Sequence, residues 1–455
     1  MDTLDPPRAP ALTADSVRTT IEVLRAIDAD RSELTQLSQE QRRELLTLAG
    51  LVAKPERHDL VKMAKAFRRA DRAAARERDA QILQRTGLRR QRRAARYTPL
   101  WLPEPQAHAT AQTPPTLGKS RNCYVCKQPF ILTHRYYDSM CPQCGDFNYA
   151  KREQSADLSG RYALITGARV KIGFQAALKL LRAGAHVIVT TRFPADAAQR
   201  YGLESDYPQF KDRLQIHALD LRHSPSVERC AHDLRAHLPR LDYLLNNACQ
   251  TVRRPAAYYA HLLEKEPTAL VPLRAHELFP THRYDEDLQQ VDLRDTNSWR
   301  LRLHEVDIPE LLEVHLVNAI APYILNARLK PLMLATPGAH KHIVNVSAME
   351  GQFYRTIKTE RHPHTNMAKA ALNMMTRTSA PDYFRDGIHM NAVDTGWITD
   401  EDPAIHAARK AELGFAPPLD IIDGAARILD PIFAGCHSGT SLWGQFLKDY
   451  KPAPW

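Results

Sequence analysis

Apolar residues recur at helical spacing over the first ninety positions and in short β-branched runs from residue 162 onward. Val17, Ile21, Leu24 and Ile27 fall three or four apart and so share one helix face. A capping-box pattern from Ser38 to Gln41 stands ahead of Leu45, Leu46 and Leu48 and predicts a second helix. A third, rich in Ala and Arg, is expected from about His58 to Gly87. Pro99, Pro103, Pro105, Pro114 and Pro115 then predict an extended linker. Beyond it "YALITG", "HVIVTTR", "LQIHALDL", "LDYLLNNA", "HIVNVSA" and "IHMNAVDTG" alternate with amphipathic stretches such as "IGFQAALKLLRAG" and "SPSVERCAHDLRAHL". Strands and helices alternating in this way predict an α/β fold with a doubly wound parallel sheet, whose ligands lie beyond the carboxyl ends of its strands. The pattern divides into a helical domain (1–96), a linker (97–120), a small module (121–152) and an α/β domain (158–455).

With 455 residues and 44% hydrophobic content the chain has the material for two or three cores. No uninterrupted apolar run approaches the roughly 20 residues of a membrane helix, and "MDTLDPPRAP" has neither an apolar signal core nor an Arg-rich transit pattern. A cytoplasmic protein without a transmembrane segment is the expectation. Charge changes the picture locally. Residues 62–96 hold thirteen basic and three acidic side chains, a surplus equal to the whole net charge of +10. Such asymmetry suggests a surface for a polyanion, nucleic acid first. The plainer alternative is a solvated helix face packed on acidic neighbours, and the near absence of aromatic residues that could stack on bases favours it.

Four of the seven cysteines form two Cys-x-x-Cys pairs, Cys123/Cys126 and Cys141/Cys144, with fourteen residues between them. Two knuckles presenting two sulfurs each suit tetrahedral zinc, and four thiolates make a closed, structural site. A thioredoxin-like redox pair would not need the second knuckle. His134 is a possible substitute ligand.

"ITGARVKIGFQ" (165–175) joins the first strand of the α/β domain to its first helix. A Gly turn ahead of a helix N-terminus cradles phosphate, because unpaired N–H groups and the helix dipole both favour an anion. Together with "TTR" (190–192), "LDL" (219–221), "NNA" (246–248), "VNAIAPY" (317–323), "IVNVSAMEG" (343–351) and "MAKAALN" (367–373), in this order, it resembles the short-chain dehydrogenase/reductase family over about residues 160–450. The resemblance implies a Rossmann fold. Thr166, Gly167, Ile172 and Gly173 then match the cofactor loop, Asp220 the residue that holds the adenine, and Asn246 the sheet-bracing asparagine near the cofactor. Lys171 replaces the loop's middle glycine, which puts close backbone approach to the pyrophosphate in doubt while offering a cation. Arg169 and Arg192, with no carboxylate at the end of the second strand, favour a 2′-phosphate, hence NADP over NAD.

In that family a tyrosine acts as general acid/base, a lysine four residues on supports it, a serine orients substrate and an asparagine anchors a water. Asn318 matches the asparagine and Lys369 the lysine, which also holds the nicotinamide ribose. The serine position is Ala348 and the tyrosine position Thr365. A phenol titrates near ~10, whereas an aliphatic alcohol is a far weaker acid. Ser347 points to the opposite strand face from Ala348 and is no substitute. Tyr354, His362 and His364 are candidates for a replacement acid, each with the alternative of an ordinary loop residue; Cys249 reads as a small packed side chain. Seventy residues separate Asn247 from Asn318, and the insertion at about 252–308 is expected to act as a lid or binding element, with Arg253, Arg254, Tyr258 and Tyr259 as possible pocket residues. Three functions fit these residues: a reductase or dehydrogenase transferring hydride between NADPH and a carbonyl or alcohol, a disabled reductase serving as an NADP-dependent sensor or scaffold, or a protein binding nucleic acid through its zinc ribbon and Arg-rich helix. A homo-oligomer is the family's expectation.

Overall fold

A computed structural model describes residues 12–93, 115–263, 266, 284, 289–338, 340–353, 358–399 and 401–455. The chain divides into two compact units, Met1–Arg76 and Glu77–Trp455.

The first unit contains α1 (Ala14–Ala29), α2 (Gln39–Ala53) and most of α3 (Arg57–Gln84). The capping box at α2 is present in both directions: the Gln41 amide donates to Ser38 Oγ at 3.2 Å, and the Ser38 amide donates to Gln41 Oε1 at 3.2 Å. None of the three helices contains a buried residue. The expected helices are there, but without a core.

In the second unit the boundaries move. Helix α4 (Gly87–Arg93) belongs here, not to the basic helical segment, because Leu88 is buried in a cluster with Leu117, Cys123, Phe130, Tyr136, Tyr137 and Met140. The last residues of the expected linker, 116–120, lie in β1 (Thr116–Asn122), which pairs antiparallel with β2 (Pro129–Leu132). Helix α5 (Pro142–Glu153) completes this small module.

The sheet that follows has the order β10-β9-β8-β7-β6-β3-β4-β5. Its strands are β3 (Tyr162–Thr166), β4 (His186–Thr191), β5 (Leu214–Ala218), β6 (Tyr243–Asn246), β7 (Lys341–Ser347), β8 (Ile388–Asp394), β9 (Phe446–Lys448) and β10 (Lys451–Ala453). All pairings are parallel except β10 with β9. Strand order reverses at β3, between β4 and β6, which opens the ligand crevice at their carboxyl ends.

One face of the sheet carries α6 (Lys171–Arg182), α7 (Pro194–Gly202), the single turn α8 (Tyr207–Phe210) and later α15 (Ile421–Ser438); the other carries α9 (Ser224–His237) and the helices after β6 and β7. Alternation does the sorting: Ala163 and Ile165 of β3 enter the first core, Leu164 the second. The insertion contributes α10 (Ala260–Leu263) before a continuous helix over Ile308–Ala335, in which α11 (Ile308–His315) passes through a π-turn (Leu316–Ile320) into α12 (Ala321–Ala335). That helix is long and apolar enough by composition to cross a membrane, and half of its most apolar window is buried inside the fold. Helices α13 (Pro363–Arg385) and α14 (Ala404–Glu412) follow β7 and β8.

Candidate functional site

The four knuckle cysteines converge. Their sulfurs lie within 4.8 Å of one another, and the Cys126 and Cys141 sulfurs are 3.9 Å apart. Four Zn–S bonds of ~2.3 Å give a tetrahedron with edges of about 3.8 Å, so the donor set is compatible with a zinc ion. Lys127 at φ 63° closes the first knuckle, and Cys141 caps α5 with Pro142 behind it. Burial opposes ionisation of Cys123, but the amides of Cys141, Cys126 and Val125 outweigh it and bring the thiol down to about 7. His134 lies outside the cluster: its Nδ1 accepts from the Tyr136 and Tyr137 amides at 3.1 Å, and burial holds its pKa down at about 4.

At the reversal point, β3 runs through Thr166 into Gly167 at φ 67°. A Cβ on Gly167 would lie 2.9 Å from that of Ala248, and one on Gly173 would lie 2.4 Å from Asn247 Nδ2 and 2.5 Å from the Gly167 carbonyl, so both positions require glycine. Asn247 holds the turn, donating to the carbonyls of Thr166 at 3.0 Å and Gly167 at 3.2 Å, and the Ala248 amide donates to Thr166 Oγ1. Lys171 sits at φ 55°, so the backbone keeps the left-handed form that a glycine would adopt freely. Ile172 packs at the foot of this helix against Gly424.

The other predicted cofactor residues separate into groups. Arg192 lies half-buried over the rings of Tyr259 (4.6 Å) and Phe193 (5.4 Å). Arg169 is buried and bonded to Asp196 at 2.7 Å and Gln289 at 3.2 Å, so its charge is already compensated within the protein. Asp220 is gripped by Arg222 at 2.6 Å, which outweighs burial and holds the carboxyl below its usual range. Asn246 faces inward and donates to Asn326 and Asn345 at 2.8 Å each; it braces the layers, while its neighbour Asn247 serves the crevice.

Across the crevice, Asn318 occupies the π-turn and pairs twice with the backbone of Gln250, donating to its carbonyl at 2.8 Å and accepting from its amide at 3.0 Å. Single π-turns inside helices are frequent at functional sites. Lys369 is buried and its ammonium donates to the Val346 carbonyl at 2.8 Å. Thr365 is 1% exposed, and its Oγ1 has no hydrogen-bond partner among the described residues. His364 is equally buried with both ring nitrogens unpartnered there, and burial lowers its pKa despite Glu310 nearby. His362, at φ 41°, stacks on Trp299 at 4.0 Å and is held at about pH 4 by burial and by His364. Its amide donates to the Leu301 carbonyl, so the insertion packs over the start of α13. Burial thus disfavours the charged form of both histidines. Tyr354 lies outside the described residues. Cys249 is exposed rather than packed.

The sequence profile described as "short chain dehydrogenase" matches residues 161–263, and that described as "Enoyl-(Acyl carrier protein) reductase" matches residues 296–413. The chain belongs to the short-chain dehydrogenase/reductase family. An uncharacterized protein of Acanthamoeba polyphaga mimivirus, R665, is 33% identical over 352 residues, covering 72% of this chain and 74% of its own. That match is longer than residues 158–455 and so extends into the cysteine module. The WW domain-containing oxidoreductase of Drosophila melanogaster is 36% identical over 93 residues, 20% of this chain and 23% of that protein; the chain thus spans about a quarter of that relative. Among solved structures, an NADPH-bound carbonyl reductase from chicken fatty liver aligns with 66% of this chain and 100% of its own, at 21% identity and a TM-score of 0.45. The RhlG/NADP complex of Pseudomonas aeruginosa aligns with 64% and 95%, at 20% identity and 0.46.

As a short-chain dehydrogenase/reductase, the chain has an additional acid in the crevice that its motifs do not reveal. Glu401, after β8, accepts from Thr399 at 2.9 Å and from Thr251 at 3.4 Å, and lies 4.0 Å from the Lys171 ammonium. Burial raises its pKa, but Lys171 and Arg254 outweigh this and keep the carboxyl ionised below its usual range. The only hint in the sequence is its place beyond a strand end. Two of the insertion's arginines are compensated: Arg253 pairs with Glu313 at 3.2 Å, and Arg254 pairs with Asp292. They do not offer a bare cationic pocket.

Proposed function

We propose that the α/β domain binds NADP(H) in the crevice beyond β3, β4 and β6 and acts as a dinucleotide-responsive sensor or scaffold, without the family's tyrosine-dependent hydride transfer. Thr365 carries this reading. The acid/base position holds a buried alcohol on a helical turn covered by the insertion, and the neighbouring ammonium of Lys369 is engaged by a backbone carbonyl. A bound dinucleotide supplies a hydride donor or acceptor; what Thr365 does not supply at the acid/base position is a group of suitable acidity to move the accompanying proton. Preference for the 2′-phosphate rests on Arg192, since the acid that follows in sequence, Asp196, is occupied by Arg169 and Arg200. Lys171 is suited to a phosphate, with Glu401 as the group a phosphate must displace. Glu401→Gln is therefore expected to tighten NADPH binding several-fold.

Fluorescence titration of the full chain with NADPH and NADH tests binding, with clear discrimination for NADPH as the expected outcome. Thr365→Tyr combined with Ala348→Ser should create carbonyl turnover where the natural chain has none. Turnover by the natural chain, with water, Tyr354 or a histidine as proton source, would instead support a reductase that retains Asn318 and Lys369, and the sensor reading would fall.

The four thiolates are proposed to hold one structural zinc, supported by their mutual distances; elemental analysis of the purified chain should find one zinc per chain. A polyanion partner is proposed for α3, on a surface shifted from residues 62–96 toward the start of the helix. Arg89 and Arg92 make contacts within the second unit, whereas Arg57, Lys65, Arg68, Arg69, Arg72 and Arg76 line an open groove of about 820 Å³. Six phosphate contacts would give a slope of about −5 in log affinity for duplex DNA against log salt. Affinity indifferent to salt would rule this out. Ile308, Leu312 and Tyr323, with Met367 and Met374, leave apolar surface on two helices that suits a second copy of the chain; Leu312→Arg should yield a monomer in sedimentation.

A further inference from the structure

The segment after β8 is held from two sides. On the crevice side it carries Thr399 and Glu401, which meet Thr251 and Lys171, and Asn297 donates to the Glu401 carbonyl at 2.8 Å. On the other side it rests on the cysteine module. The hydroxyl of Tyr124, the residue after Cys123 in the first knuckle, accepts from the Trp397 amide at 3.0 Å. Gly396, at φ 79°, lies so close that a Cβ there would be 2.5 Å from Leu419 Cδ1 and 3.1 Å from the Tyr124 hydroxyl. Ile398 is buried with Leu419 and Ile421 in the same cluster as Cys123, Tyr136, Tyr137 and Met140.

Arg92 of α4 completes the attachment. Its guanidinium donates to the carbonyls of Pro417 at 2.6 Å, Leu419 at 2.8 Å and Ile398 at 3.3 Å. Both ends of the excursion that carries α14 are therefore fastened to elements outside the Rossmann sheet. Tyr124 stands between Cys123 and Cys126 in the first knuckle, with its ring packed against the same cluster as Cys123, so what holds those sulfurs also bears on the tyrosine.

We propose that the cysteine module positions residues 396–399 and Glu401 over the nucleotide crevice, with Tyr124 and Arg92 as positioning residues, so that metal occupancy sets both the order of these residues and the affinity for a dinucleotide. The inference rests on the reading that the four thiolates hold zinc. It assigns the module a task inside this chain, separate from any partner.

Hydrogen exchange on the full-length, zinc-loaded chain tests it, with zinc content measured on the same samples. Tyr124→Phe keeps every thiolate and should retain one zinc, yet exchange of the Trp397 amide should speed about tenfold, the loss of one hydrogen bond. NADPH affinity should rise several-fold alongside, because the released segment no longer holds Glu401 against Lys171. Chelation of the natural chain should release residues 396–399 and 401 further while β3 keeps its protection. A chain that neither contains nor takes up zinc overturns the metal reading itself. Zinc retained with exchange at 396–399 and 401 unmoved by both Tyr124→Phe and chelation overturns the positioning role and leaves the metal reading standing. Faster exchange with unchanged NADPH affinity overturns the link to the crevice.

Discussion

Arginine is used in opposite ways in the two units of this chain. Arg152 is 7% exposed and lies between Asp420 at 2.6 Å and Asp423 at 3.1 Å, under the ring of Tyr136. Those two acids also accept from Tyr136 and Tyr137, which ties the cysteine module to α15 through a buried network. Arg68 and Arg72, by contrast, sit on a helix with no buried residue. The second unit is specified by contacts distant in sequence, whereas α1 and α2 are specified by local signals, their capping boxes above all. Helices of 16 and 15 residues are near the lower limit for standing alone in water. Their stability as isolated helices is therefore marginal.

The largest expected effect separates these two uses. Arg152→Ala leaves two buried carboxylates without their cation and should cost about 3–5 kcal/mol in urea unfolding of the second unit. Arg72→Ala should change stability by less than about 0.5 kcal/mol. Equal costs would mean that α3 has a folded environment like that of α5. Next in size, Leu178→Ala, at a fully buried site on α6, should cost about 2–5 kcal/mol.

Acid offers a second probe of the sheet. His342 on β7 is held down at about 3 by burial first and by His389 and His340 second. A depressed histidine is neutral in the fold and binds its proton more readily once unfolded, so stability is complete above the ordinary pKa near ~6.5. It should fall by about 1.4 kcal/mol per pH unit below that, until near pH 3. His342→Phe should flatten this slope in acid titrations of the second unit and leave helix content in α1 and α2 untouched.

The fold was legible wherever pattern is local. All six β-branched runs form strands and both quoted amphipathic stretches form helices; a parallel strand buried on both faces is apolar along its length, and the edge strand β5, with no buried residue, is the exception. The convergence of the cysteine knuckles was legible because their spacing is itself a sequence property. The crevice was legible only in part. Gly167 and Gly173 could be placed from the motif, but that Asn247 rather than Asn246 holds the turn depends on which way one residue faces at a strand end. Arg169 read as a free cation until Asp196 was brought beside it. Glu401 depends on three loops meeting, and no spacing encodes that. The boundary at residue 96 was drawn from charge, yet Leu88 and Arg92 belong to the second unit through burial and carbonyl contacts made across more than 300 residues.

The smallest effects test the first unit on its own terms. In a helix without tertiary packing, a cap should matter more than a bulky apolar side chain, reversing the order found in cores. Ser38→Ala removes the side-chain acceptor of the Gln41 amide at the start of α2 and should cost about 1 kcal/mol of helix stability. Leu46→Ala, on the same helix and 52% exposed, removes little burial and exchanges leucine for a better helix former, so its cost should stay under about 0.5 kcal/mol. Amide exchange along α2 in the two variants gives the ranking directly. A larger loss from Leu46→Ala would mean that this face is already covered in solution, and the contrast between a packed second unit and an unpacked first one would then have to be drawn elsewhere.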